Sequence, residues 1–75
     1  MRNTIQNNIR RLRFDHREMT QQQLADRIGV TRQTVNAIEL NKYSPSLEVA
    51  FRIAEVFGVP LEQVFQYGHS SRSSS

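Results

Sequence analysis

The sequence predicts an all-α fold of five short helices. Its apolar residues recur at intervals of three and four, which is the period of a helix, and no stretch shows the sustained alternation of a strand. Capping residues precede the apolar segments, and Gly29 and Gly58 follow two of them, as glycine does where a helix ends in the left-handed conformation. These observations together favour a helical domain with tight connections.

The length of the chain limits it to one small domain. It has 75 residues, and a domain of this size buries a modest core and is marginally stable alone, so a partner subunit is expected. We place the domain at residues 1–67. Residues 68–75, GHSSRSSS, contain nothing apolar to bury and are predicted to form a disordered polar tail.

The charge balance is mildly basic. Lys and Arg number 10 against 7 Asp and Glu, which gives a formal net charge of +3. This sign suits a polyanionic partner such as double-stranded DNA, although an ordinary solvated surface is an equally good explanation of the charge alone. Lys42 is the one lysine and the rest are arginines, whose fork of donors matches phosphates and guanine edges.

Several classes of protein are disfavoured by what the sequence lacks. There is no cysteine, so disulfides and thiolate-bound zinc are excluded, and no metal site is predicted. Since there is no apolar run of about 20 residues and no signal-like N-terminus, we expect a soluble cytoplasmic protein without a membrane partner. His16 and His69 are the histidines and no catalytic constellation surrounds them. No catalytic residues, cofactor or small-molecule ligand are predicted, and the chain is not expected to be an enzyme.

The first two helices are predicted from their caps. The first helix runs from Thr4 to Arg17, with Thr4 or Asn7 as its cap. The second helix begins at Thr20, where Thr20 and Gln23 fit a capping box. The apolar faces of the two helices consist of Ile5, Ile9 and Leu12 in the first and Leu24, Ala25 and Ile28 in the second.

The remaining helices follow at short intervals. The third begins at Thr31 and ends near Leu40–Asn41, since Asn is second to Gly at a left-handed terminus. Ser46 caps a fourth helix, and Pro60 opens a short fifth helix over Leu61 to about Phe65. The apolar positions are Val35 and Ile38 in the third helix, Leu47, Ala50, Phe51, Ala54 and Phe57 in the fourth, and Leu61, Val64 and Phe65 in the fifth.

The stretch from Thr20 to Glu39, TQQQLADRIGVTRQTVNAIE, contains the main functional signal. A three-residue connection, 29–31, joins two short helices and forces them to cross at a large angle, which is a helix-turn-helix. Such a motif places the start of its second helix in the major groove, where Arg pairs with guanine and Gln or Asn with adenine. The polar residues that share the exposed face are the candidate base contacts: Arg32, Gln33 and Asn36, with Ala37 at their border. A solvated helix face is the alternative.

Other polar residues around the motif are candidates for phosphate contacts, which position a protein without reading sequence. A helix start offers free N–H groups and a positive dipole end, and the loop after the third helix lies on the other side. The alternative for Lys42 and Tyr43 is a plain loop in which Tyr43 covers the core of the domain. The candidates are Gln21, Gln22, Thr31, Thr34, Asn41, Lys42 and Tyr43.

The chain from Ile9 to Phe65 resembles the Cro and lambda-repressor type of regulator, the XRE family, and especially its small stand-alone members. The matching residues are Ile9-x-x-Leu12-Arg13, Met19-Thr20-Gln21, Leu24-Ala25, Gly29-Val30, Thr31-x-Gln33-Thr34-Val35, Ile38-Glu39, Pro45-Ser46-Leu47, Ile53-Ala54 and Phe57-Gly58-Val59. The resemblance implies a five-helix lambda-repressor-like domain that binds near-palindromic operators as a homodimer.

The resemblance also implies particular residue roles. Arg13 and Glu39 would form a buried ion pair, Gln21 and Lys42 would face phosphates, and the base contacts would be those named above. The chain departs from the family pattern in two places. The connection from Arg13 to Met19 is one residue longer than usual, and Leu40-Asn41 stands where a polar residue and glycine are common.

The fifth helix carries more apolar surface than a short terminal helix needs. Part of it completes the core, and the rest is a candidate two-fold interface; packing of all of it within the monomer is the alternative. The candidate interface residues are Val59, Pro60, Leu61, Val64, Phe65 and Tyr67. We therefore predict a dimeric, sequence-specific DNA-binding repressor. The alternative is an antitoxin-type module that holds a toxin or another partner protein.

Overall fold

The computed structural model describes residues 4–68, which form a helical domain with a small sheet. Residues 1–3 of the predicted domain lie outside the described residues, and so does all of the predicted tail except Gly68. In chain order the elements are β1 (Thr4–Asn7), α1 (Ile9–Asp15), α2 (Gln21–Ile28), α3 (Arg32–Glu39), α4 (Leu47–Phe57), α5 (Leu61–Val64) and β2 (Phe65–Gly68).

The caps predicted for the middle helices are confirmed. Thr20 Oγ1 accepts from the Gln23 backbone N–H at 3.0 Å, and Gln23 Oε1 accepts from the Thr20 N–H at 2.9 Å. Ser46 Oγ accepts from the N–H of Val49 at 3.2 Å. Gly29 ends α2 with a φ of 78°, a left-handed conformation that glycine adopts without a steric penalty. Each of these bonds satisfies a backbone group that a helix end leaves free.

The predicted start of the first helix is wrong, because Thr4–Asn7 is a strand. β1 pairs antiparallel with β2, with Ile5 opposite Tyr67 and Asn7 opposite Phe65. Four residues are too few for an alternating pattern to be distinguished from a helical one, and their partner strand lies at the other end of the sequence. For the same reason α5 ends at Val64, one residue earlier than predicted, since Phe65 begins β2.

The predicted end of the first helix is also too late. α1 ends at Asp15, with His16 as its C-cap, and Arg17 and Glu18 have φ values of 59° and 55°. Two successive residues in the left-handed region cannot continue a right-handed helix. The longer connection noted in the sequence is therefore taken up by a left-handed turn before Met19.

The core lies where α2, α3 and α4 meet, with Ile9 of α1 and Val64 of α5 completing it. The apolar face predicted for α4 needs a correction, because Leu47 and Phe51 are 68% and 53% exposed. The residues that α4 does bury lie three or four apart, as one face of a helix requires: Ala50, Ile53, Ala54 and Phe57. None of the helices in residues 4–68 has the length and apolar character needed to cross a membrane.

Candidate nucleic-acid interface

At the corner between α2 and α3, hydrogen bonds close the C-terminal end of α2. The N–H groups of Gly29 and Val30 both donate to the carbonyl of Ala25, at 2.9 and 3.1 Å. Arg52 of α4 donates to the carbonyl of Ile28 at 3.2 Å. These bonds satisfy two of the carbonyls that a helix end leaves free, and the left-handed Gly29 ends α2 and turns the chain toward α3.

The first turn of α3 is capped by the side chain of Thr31. Thr31 Oγ1 accepts from the N–H of Thr34 at 3.2 Å and lies 3.0 Å from the Thr34 hydroxyl. The two threonines proposed as phosphate contacts therefore already bond to each other. They fix the helix end that carries the candidate base contacts.

α3 has one buried face and one exposed face. Val35 and Ile38 are each 1% exposed and pack in the core. Arg32, Gln33 and Asn36 are exposed on the other side, and Ala37 at their border is half-buried. The structure thus brings the predicted base contacts together on one protruding surface, which we call the α3 outer face (Arg32, Gln33, Asn36).

A hydrogen-bond network ties this face to the start of α2. Gln21 Nε2 donates to Asn36 Oδ1 at 3.0 Å and to Glu39 Oε1 at 3.1 Å. The sequence placed Gln21 among the phosphate contacts, but its side-chain donor is engaged within the protein. Asn36 is consequently oriented with its oxygen toward α2 and its own amide donors toward solvent.

The ion pair implied by the family resemblance closes the network. Arg13 Nε lies 2.6 Å from Glu39 Oε2, and Arg13 Nη2 donates to Glu39 Oε1 at 3.1 Å. Arg13 Nη1 donates to the carbonyl of Met19 at 2.8 Å. The two charged side chains are 14% and 7% exposed. Such a pair, bidentate and largely shielded from water, fixes the angle between α1 and α3 more surely than it adds stability.

The other candidate phosphate contacts fall into two groups. Gln22 bonds along α2, its Nε2 donating to Asp26 Oδ1 at 2.9 Å. Asn41, Lys42 and Tyr43 are all exposed in the loop after α3. Tyr43 is 53% exposed, so it does not seal the core. Lys42 is an exposed positive charge three residues beyond the end of α3, with no ion pair to another of residues 4–68.

Two further sets of residues adjoin the C-terminal end of α3 and were not among the predicted contacts. Arg10, Arg11 and Phe14 of α1 line a hollow together with Glu39. Asn7 of β1 bonds to the end of α3. Helical periodicity places these arginines on the outer faces of the first helix, but it cannot show which neighbouring helix such a face adjoins. Nothing in the sequence pattern indicates the Asn7 contact.

The residues proposed for a dimer interface divide between surface and core. Val64 is fully buried in the monomer, so that part of the prediction is wrong: its side chain completes the core. Leu61 and Phe65 are half-buried, Val59 likewise, and Pro60 is exposed. Tyr67 is 71% exposed and lines a hollow that it shares with Phe65 and other residues of the sheet and the loop after α3: Ile5, Asn7, Ile38, Asn41, Tyr43, Ser44 and Pro45.

Five helices around a sharp α2–α3 corner, with a polar outer face on the second helix of the pair, define a helix-turn-helix DNA-binding domain of the lambda-repressor-like fold. Comparison with known families agrees: the profile of the family described as Helix-turn-helix matches residues 9–64. The chain belongs to this family and is a transcriptional regulator of the XRE type.

Individual relatives support the assignment. An HTH-type transcriptional regulator of Methanocaldococcus jannaschii is 48% identical over 63 residues, which cover 84% of this chain and 94% of the relative. The transcriptional repressor RstR of the cryptic phage CTXphi, from Vibrio cholerae, is 38% identical over 56 residues, covering 75% of this chain and 50% of the repressor. A crystal structure of a Bacteroides fragilis protein superposes with a TM-score of 0.72 at 25% identity, covering 84% of this chain and all of that one.

Proposed function

We propose that this regulator binds a near-palindromic operator as a homodimer, with α3 in the major groove, and that it represses transcription. The observation that carries the proposal is the α3 outer face. Three side chains with hydrogen-bonding groups stand together on a helix whose opposite side is buried and whose first turn is capped. Their donors and acceptors match base edges in the major groove.

Phosphate contacts flank this face in the proposed complex. The start of α2 offers unpaired backbone N–H groups and the positive end of a helix dipole, which suit a phosphate. Lys42 supplies a charge on the other side of α3. Contacts of this kind fix the register of the protein on the duplex, while the α3 outer face selects the sequence.

Repression is the proposed outcome for two reasons. A small domain bound to DNA blocks competitors by steric exclusion, which needs no activating surface. One of the relatives, covered over half of its length, is a transcriptional repressor. We propose no second function, because no contact within residues 4–68 favours the antitoxin-type alternative over DNA binding.

Selection of bound sequences from random double-stranded DNA tests the proposal directly. The expected product is a motif with two inverted half-sites whose centres lie roughly 34 Å apart, one turn of the duplex. Enrichment of a single half-site would contradict the dimer. Recovery of unrelated sequences, or no binding at physiological salt, would contradict operator recognition itself.

A further inference from the structure

Asn7, the last residue of β1, makes three hydrogen bonds that join three parts of the molecule. Its Nδ2 donates to the carbonyl of Ile38 and to Asn41 Oδ1, both at 2.9 Å. Its Oδ1 accepts from the N–H of Ile9 at 3.2 Å, at the start of α1. The first two bonds span more than thirty residues of sequence and end at the C-terminus of α3.

The turn that Asn7 contacts is a Schellman motif, the double-bonded termination of a helix. The N–H of Asn41 donates to the carbonyl of Ile38 at 3.0 Å, and the N–H of Lys42 donates to that of Ala37 at 2.9 Å. Asn41 has a φ of 60°, the left-handed conformation that usually requires glycine. An asparagine tolerates it better than most residues but still adopts it at a cost, so an outside contact that favours this conformation has a stabilising effect on the turn.

We propose that Asn7 is a positioning residue for DNA binding. By holding the Ile38 carbonyl and the Asn41 side chain, it stabilises the left-handed turn and so directs Lys42, the next residue, toward the DNA backbone. The inference rests on the proposed function, since it presumes that α3 and Lys42 contact DNA. It assigns Asn7 no contact of its own with the nucleic acid.

The neighbouring asparagine provides a matched control. Asn8 Nδ2 donates to the carbonyl of Gln63 at 3.1 Å, so it also joins the start of α1 to a distant backbone carbonyl. That carbonyl belongs to α5, away from the turn after α3. Replacing Asn8 removes a comparable bond without touching the Schellman motif.

The experiment compares Asn7→Ala with Asn8→Ala in binding to the selected operator and to random DNA over a series of salt concentrations. Asn7→Ala is expected to weaken binding to both DNAs several-fold and to reduce the slope of log affinity against log salt by up to about 0.9, the contribution of one phosphate contact. Asn8→Ala is expected to leave both quantities unchanged. Thermal unfolding followed by circular dichroism checks that each variant is folded.

A second substitution separates positioning of the turn from general support of β1. The double variant Asn7→Ala, Asn41→Gly is compared with Asn41→Gly alone, which accounts for loss of the Asn41 side chain. Glycine takes the left-handed conformation without help, so Asn7→Ala is expected to change neither affinity nor salt slope when residue 41 is glycine. A loss of affinity in that background would show that Asn7 acts elsewhere, and wild-type binding by Asn7→Ala would show that it has no role in DNA binding. Either result overturns the inference.

A substitute variant and the binding of the wild-type chain separate failure of this inference from failure of the proposed function. If Asn7→Ala does not fold, Asn7→Asp replaces it, because the carboxylate still accepts from Ile9 while losing both donor bonds; Asn8→Asp then matches its charge. If the wild-type chain binds no DNA, the proposed function fails and the inference fails with it. If the wild type binds and the Asn7 variants bind equally well, the inference alone fails.

Discussion

The three side chains of the α3 outer face differ in how firmly the protein holds them. Within residues 4–68, Asn36 accepts a hydrogen bond from Gln21, whereas Arg32 and Gln33 make no side-chain hydrogen bond. Helical periodicity was enough to predict that the three share a face. It could not show the bond to Gln21, which depends on the angle between α2 and α3 and therefore on the packing of the core beneath them.

Gln33→Ala is expected to weaken binding to the operator by about 1–3 kcal/mol and to leave binding to random DNA almost unchanged, because a bidentate base contact discriminates between bases. Since the Gln33 side chain is exposed, the free energy of unfolding should change little. Titration of both DNAs at one salt concentration measures the difference. An equal loss on the two would remove Gln33 from the base contacts.

Gln21→Ala is expected to reduce selectivity at the base positions that we propose Asn36 contacts, because Asn36 loses the bond that orients its amide. Glu39 keeps both bonds from Arg13, so the fold should survive. A competition assay with operators altered one base pair at a time measures selectivity. Gln22→Ala is the matched control, since Gln22 bonds only along its own helix, and its selectivity profile should equal that of the wild type.

At the scale of the elements, a contact could be predicted when its two residues lie close together in the sequence, and could not when they lie far apart. The capping bonds at Thr20, Thr31 and Ser46 join residues three apart, so the sequence specified them locally. β1 and β2 interact across almost the whole chain, and neither has a signal of its own. The left-handed turn at 17–18 was not predicted for a different reason. Neither Arg17 nor Glu18 is a residue type that favours such a turn.

The loop after α3 gives a prediction about charge. Lys42→Gln should weaken binding to operator and random DNA alike and lower the salt slope by about 0.9, since one phosphate contact is lost. The control is Arg27→Gln, which removes the same charge from the α2 surface near His16 and Asp26. Affinities measured between low and high salt give both slopes. If the two variants behave identically, the loss reflects net charge and Lys42 makes no specific contact with phosphate.

At the scale of the whole molecule, the exposed apolar residues of the two-stranded sheet form the surface to which we propose that a second copy binds. Ile5 and Tyr67 are cross-strand partners on the sheet, and they are 40% and 71% exposed. Together with the half-buried Phe65 they form apolar surface where the first and last elements of residues 4–68 pair with each other. The sequence anticipated Phe65 and Tyr67 there but could not include Ile5, whose strand was predicted as helix.

Tyr67→Ser is expected to shift the monomer–dimer equilibrium toward the monomer while leaving the helical content unchanged, because it removes exposed aromatic surface from the proposed interface. Sedimentation equilibrium at several protein concentrations measures the shift. Phe14→Ser removes an aromatic side chain that is 67% exposed on α1 and serves as the comparison. Dissociation by the Phe14 change and not by the Tyr67 change would place the interface on α1.

The pairing of Thr4 with Gly68 in the two-stranded sheet has a consequence for the architecture of the chain. Strands in register lie about 5 Å apart, so a tight two-residue connection of the kind found in β-hairpins could link residue 68 directly to residue 4. The polypeptide could then be opened between the exposed residues Tyr43 and Ser44, beyond the turn that Asn41 and Lys42 form, to give a circular permutant. In that arrangement the sheet would become a local hairpin, and its formation would no longer require closure of a loop almost as long as the domain.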